Sequence, residues 1–117
     1  MTRGRFLVAL LASLPEASPL VAEHLDDQEG TLLLHLLVAD LRRFLLDAWK
    51  RQDHDVLQRG LALLDGALTT GDEYVENAVA VSFVEDIGWW EPEVQPFLAT
   101  WPAGLVAEVE RLRAHGS

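Results

Sequence analysis

Apolar residues recur along this chain at intervals of three and four rather than two, the period of helices packed by one face. Phe6, Leu7, Leu10, Leu11 and Leu14 share a face, which predicts a helix over about residues 3–14 that stops before Pro15. Ser18 reads as an N-cap with Pro19 in the first helical position, opening a short helix over Leu20–Leu25 that "DDQEG" closes. A long helix over about 31–52 turns Leu33, Leu34, Leu37, Val38, Leu41, Phe44, Leu45, Ala48 and Trp49 inward. Leu32 and Leu36 fall on its polar side and call for a second neighbour. Asp47 and Arg51 stand four apart with the acid first, a modest helix-favouring pair.

After the turn "QDHD", where Asp53 or Asp55 can cap, Leu57, Leu61, Leu64 and Leu68 form a narrow stripe over a helix at 55–69. Thr70 and Glu73 have capping-box spacing for a helix over 72–87 whose apolar residues reach nearly all round the wheel, as a buried central helix requires. "GWWEPEVQP" is a break, and a last helix from Pro102 carries Leu105, Val106, Val109 and Leu112 inward. The loops are short, so consecutive helices are expected to run antiparallel. The fold class is all-α: one domain over 1–117, a bundle of five to six antiparallel helices, with an N-terminal helix at 3–14 and the main bundle at 19–114.

Composition narrows the chemistry. The chain has 117 residues and no cysteine, which excludes disulfides, thiolate nucleophiles and Cys-ligated metal. "MTRGRFLVALLASLPEAS" resembles a short signal peptide but lacks a small-x-small cleavage site, so an uncleaved helix and a cytoplasmic address are expected. No run approaches the roughly 20 apolar residues of a membrane span. The formal net charge is −10, and it is uneven. Residues 60–110 hold ten acids and no Lys or Arg, while the rest of the chain balances nine acids with nine bases. Such a field repels nucleic acid and anionic membrane and steers basic partners in; the plainer reading is a solubilising surface.

The acids gather around the predicted 72–87 helix. Asp72, Glu73, Glu76 and Asn77 share one sector at its start, and Trp90, Glu91 and Glu93 follow its end. Paired carboxylates could do acid–base work or hold a cation, but acids in a first turn also simply suit the helix dipole. Glu85 and Asp86 sit at the unfavourable end of the dipole, and Asp86 is expected to cap or bridge elsewhere. There is no nucleophile elbow, P-loop, dinucleotide fingerprint, HExxH or ExxH pair, so no catalytic residue, cofactor or metal ligand is assigned. His24, His35, His54 and His115 are scattered; "DHD" could catch a metal, but its two aspartates read as solvated or capping residues, and His24 before "LDD" is weighed in the same way. Trp89, Trp90 and Trp101 fall within 13 residues; most are expected to seal the end of the bundle, with Trp90 the exposed anchor.

"GDEYVENAVAVSFVEDI", followed after a Pro-containing loop by "PFLATWPAGLVAEVERL", resembles a group of small, uncharacterised helical proteins of bacteria. The resemblance covers about residues 30–113 and leaves the N-terminal helix outside. It implies a likeness to immunity proteins that accompany secreted antibacterial toxins, and the use of one Lys against eight Arg resembles a high-GC bacterial genome. Three functions are carried forward in order. The first is an acidic protein-binding module that occludes a basic partner such as a toxin domain, through Asp72, Glu73, Glu76, Asn77, Trp90, Glu91 and Glu93. The second is a structural or adaptor subunit, with room for a homodimer through the 31–52 helix. The third is a small carboxylate-dependent enzyme using Glu76 and Asp72.

Overall fold

In the computed structural model, which describes residues 1–116, all regular structure is helical and no strand occurs among those residues. Ser117, the last residue of the expected domain, lies outside them. The helices are α1 (Arg3–Ser13), α2 (Ser18–Asp27), α3 (Leu34–Lys50), α4 (His54–Thr70), α5 (Glu73–Val79), α6 (Gln95–Leu98) and α7 (Ala103–Gly116). Seven α-helices thus stand among the described residues where five to six were expected; α6 begins in the last two residues of the stretch read as a break. No single helix among the described residues is long and apolar enough to cross a membrane. Phe6, Leu10 and Leu14 of the N-terminal segment are fully buried in the common core.

Several expected boundaries move, each for a local reason. α3 begins at Leu34 rather than 31, because Leu33 is extended (φ −100°, ψ 94°). The Leu33 N–H donates to His24 Nε2 at 3.2 Å and the Leu34 N–H to the Tyr74 hydroxyl at 3.2 Å. His24 is therefore a buried acceptor, 4% exposed. Leu33, expected inward, is 38% exposed, and Leu32, expected on the polar side, packs against the core. Ser18 makes no cap; the 3₁₀ turn Pro15–Ala17 runs straight into α2. Asp72, not Thr70, caps α5: its Oδ1 accepts from the Val75 N–H at 2.9 Å, while the Thr70 hydroxyl donates to the Gly66 carbonyl. Asp53 caps α4 as expected, and Asp47 pairs with Arg51 at 3.1 Å. Val106, expected inward, is 37% exposed.

α4 packs against α1, α3, α5 and α7. Its buried surface includes Val56, Leu57, Gly60, Leu61, Leu63, Leu64 and Ala67, wider than the narrow stripe expected. Gly60 permits the close α3 crossing, since a Cβ there would overlap Leu45 Cδ2. The predicted 72–87 helix is not uniform. After α5 the chain widens into a π-helical segment, Ala80–Val84, and tightens into a 3₁₀ turn, Glu85–Ile87. Gly88, in the left-handed region at φ 79°, then reverses it.

Arg59 of α4 holds the α1–α2 connection by donating to Glu16 at 2.5 and 2.8 Å and to the Ser13 carbonyl at 3.0 Å. The Arg59 hydrogen bond lowers the Glu16 carboxyl from 4.5 to about 2. A carboxyl depressed by folding contributes stability above its unfolded value, and that contribution is lost as pH falls through its folded value. Glu16→Gln is expected to flatten the decline in stability between pH 4.5 and about 2, read from urea midpoints across that window. An unchanged acid limb would mean that the pair is not formed in solution.

Candidate functional site

The seven residues singled out in the sequence divide between two places. Asp72, Glu73, Glu76 and Asn77 are all exposed at the start of α5. Asp72, Glu73 and Asn77 border an open hollow of about 660 Å³ beside Tyr74. The Asp72 carboxylate is occupied as the helix cap, and its N–H donates to the Met1 carbonyl at 2.7 Å. The Arg3 guanidinium sits 5.9 Å from the Tyr74 ring centroid, so a cation already neighbours this hollow. Of the two carboxylates of the enzyme reading, Glu76 is exposed and Asp72 caps α5. No cluster of three or more His, Asp or Glu able to hold a metal occurs among the described residues.

The second place is the corner after Gly88. Trp90 is 62% exposed and stands edge-on to Trp89, with ring centroids 5.5 Å apart at 89°. Trp89 is held from behind. The Arg113 guanidinium lies 5.6 Å from its ring centroid, and Gln95 Nε2 donates to the Trp89 and Glu91 carbonyls at 2.8 and 3.0 Å. Arg113 in turn donates to Gln95 Oε1 at 3.2 Å. Beside this platform the Glu91 and Glu93 carboxyls meet. A hydrogen bond between them, then their like charge, pushes the Glu91 carboxyl above its usual range. A corner built this way presents a rigid aromatic face next to a carboxyl pair that a cation would relieve.

Between the two places runs a polar seam whose partners the sequence did not name. Arg42 of α3 donates to the Ser82 carbonyl at 2.8 Å and lies 3.5 Å from Asp86 Oδ2, the bridge that the Asp86 position called for. His35 Nδ1 meets the Ser82 hydroxyl at 3.2 Å. Glu85 and Glu76 add to the field around Arg111, whose guanidinium is paired with Glu108 and held above its usual range chiefly by that hydrogen bond. Trp101, read as a seal, is one: it is 6% exposed and stacks on Phe83. Its indole Nε1 is buried without a partner among the described residues.

Two further long-range contacts escaped the sequence because they join residues 40 apart. Tyr74 accepts at the start of α3, and Asp65 Oδ1 accepts from the Leu105 N–H at 3.0 Å at the start of α7. Gly104 is required at the second, where a Cβ would overlap Asp65 Oδ1. Neither residue carries a local capping signature, because the helix it serves begins elsewhere in the chain.

A protein-family model described as Domain of unknown function (DUF7674) matches residues 8–115. The match takes in α1 from Val8 onward, whereas the resemblance read from the sequence began near residue 30. No curated protein and no solved structure matches the chain.

Proposed function

Since the chain belongs to that family, whose description carries no activity, we propose a role from its geometry: a protein-binding module that recognises a basic partner and covers it. The observation that carries this reading is the corner where Trp90, 62% exposed and braced by Trp89, adjoins Glu91 and Glu93. A Lys or Arg side chain seated on the indole would meet both carboxylates. Tryptophan at the centre of such a contact is a common hot spot. The absence of bases from 60–110 supports fast, salt-sensitive association. An immunity protein that occludes a toxin domain in the bacterial cytoplasm is the specific form of this proposal. An up-and-down antiparallel arrangement of the helices belongs to it as the scaffold.

The test is co-purification with the product of the adjacent gene, followed by binding kinetics. Trp90→Ala is expected to weaken the complex by at least ~2 kcal/mol, roughly 30-fold, with the fold intact because the side chain is mostly exposed. Association should slow as salt rises, and affinity should increase as pH rises through the raised Glu91 value, when the shared proton leaves. An association rate indifferent to salt, with Trp90→Ala binding like the parent, defeats the proposal.

A second reading, a homodimer through α3, is favoured by Leu36, 48% exposed beside Leu33 at 38%. Sedimentation at low micromolar concentration separates it: a dimer that Leu36→Glu converts to monomer supports it, and a parent monomer removes it.

A further inference from the structure

Val106, Val109, Glu110 and Arg113 follow one another along α7 at the three- and four-residue spacings that align side chains on one helix face. With Gln95 and Leu98 of α6 and with Trp101, they line a hollow of about 320 Å³. Leu98, Trp101 and Val109 are buried and make its floor apolar. Gln95, Glu110 and Arg113 are exposed and make its mouth polar. That is the make-up of a small-ligand site: apolar walls with a few convergent polar groups.

Two independent observations point to what the hollow takes. The first is an ion pair that does not form. An arginine follows an acid by three or four residues five times in this chain. Asp40–Arg43, Asp47–Arg51, Asp55–Arg59 and Glu108–Arg111 all close into salt bridges, and Glu110–Arg113 does not. Arg113 turns to Gln95 Oε1 and the Trp89 ring, and the Glu110 carboxylate has no partner among the described residues. Opposite charges thus border the mouth without neutralising each other. The second is Trp101. It is 6% exposed, its ring is part of the wall, and its Nε1 is a buried donor without an acceptor among the described residues.

A ligand with an apolar body and both charges at one end matches this arrangement. The body covers Leu98, Trp101 and Val109. Its carboxylate meets the Arg113 guanidinium and brings acceptor oxygens to a wall with a donor to spare, and its ammonium meets Glu110. Such a zwitterion is neutral overall, so the net charge of −10, which repels anions, does not oppose it.

We propose that the α6–α7 hollow binds a free α-amino acid with a branched aliphatic side chain. The test titrates the full chain, labelled with nitrogen-15, with L-leucine, glycine, N-acetyl-L-leucine and L-leucinamide. Leucine is expected to shift amides of residues 95–113 and the indole N–H of Trp101. Glycine lacks the apolar body, and each blocked leucine lacks one charge; all three should bind at least about tenfold more weakly. Glu110→Gln, exposed and without an ion pair, should weaken leucine about tenfold, leave N-acetyl-leucine no weaker and keep the urea midpoint unchanged. Absence of shifts at millimolar leucine overturns the proposal, as does equal binding of leucine and either blocked form. Leucine binding that ignores Glu110→Gln overturns it too. Shifts confined to 89–93 would do the same while leaving the Trp90 surface standing.

Discussion

Phe83→Ala is expected to lower stability by about 3–5 kcal/mol, a large part of the roughly 5–15 kcal/mol that a domain of this size commands. Phe83 lies in the π-helical segment and is fully buried. Its ring stacks on Trp101 at 5.0 Å; Trp101 meets Phe97 edge-on at 5.7 Å, and Phe97 tilts against Trp49 at 5.4 Å. These four rings join the central segment to α6, to the lead-in of α7 and to α3. Truncation removes the transfer energy of the ring and opens a cavity that a rigid indole cannot collapse to fill. It also withdraws the stack over an indole whose Nε1 already lies buried without a partner, a burden of about 1–3 kcal/mol that the packing must offset. Urea unfolding followed by tryptophan fluorescence measures the loss. Phe83→Leu should cost distinctly less, since it keeps most of the volume. A midpoint for Phe83→Ala close to that of the parent would show that the ring chain does not bind these elements together.

Arg42→Met is expected to cost about 2 kcal/mol, and to do so through a carbonyl rather than a charge. Methionine preserves the packing of the Arg42 stem, which is 17% exposed. It deletes the donor to the Ser82 carbonyl, leaving a part-buried acceptor without that partner at about 1–3 kcal/mol. The ion pair with Asp86 adds less than about 1 kcal/mol, because that carboxylate is 56% exposed. Asp86→Asn should therefore be mild where Arg42→Met is not. Amide exchange should quicken for residues 82–87 in the Arg42 variant before the rest of the chain loosens. Equal costs for the two variants would assign the effect to the ion pair and refute the carbonyl account.

What the sequence made legible follows from local physics. The 3.6-residue period placed six of the seven helices, because a helix buries one face whatever it packs against. Asp53 as a cap and the Asp47–Arg51 pair were legible because both partners lie within one turn. The α5 cap shifted from Thr70 to Asp72 because two oxygen-bearing side chains precede the same helix and the register of the turn chose between them. α6 escaped notice because four residues, Pro96 among them, are too few to show a period. The candidate site was half legible. The places of Asp72, Glu73, Glu76 and Asn77 at the start of the central segment and of Trp90 past its end were legible, but the exposure of Glu76 and Asn77 was not, because a wheel gives a sector and not what packs against it.

The sequence by itself determined an all-helical chain, a charge confined to residues 60–110 and a tryptophan left outside the core. These are properties of composition and of neighbours a turn apart. Only the tertiary structure decided that Arg42 and His35 meet the π segment, that Tyr74 and Asp65 cap helices 40 residues away and that His24 is buried. The reason is the reach of the forces. Periodicity and capping act within a few residues, but a buried polar group must find its partner wherever packing brings one, and the distance between those partners along the chain leaves no local mark.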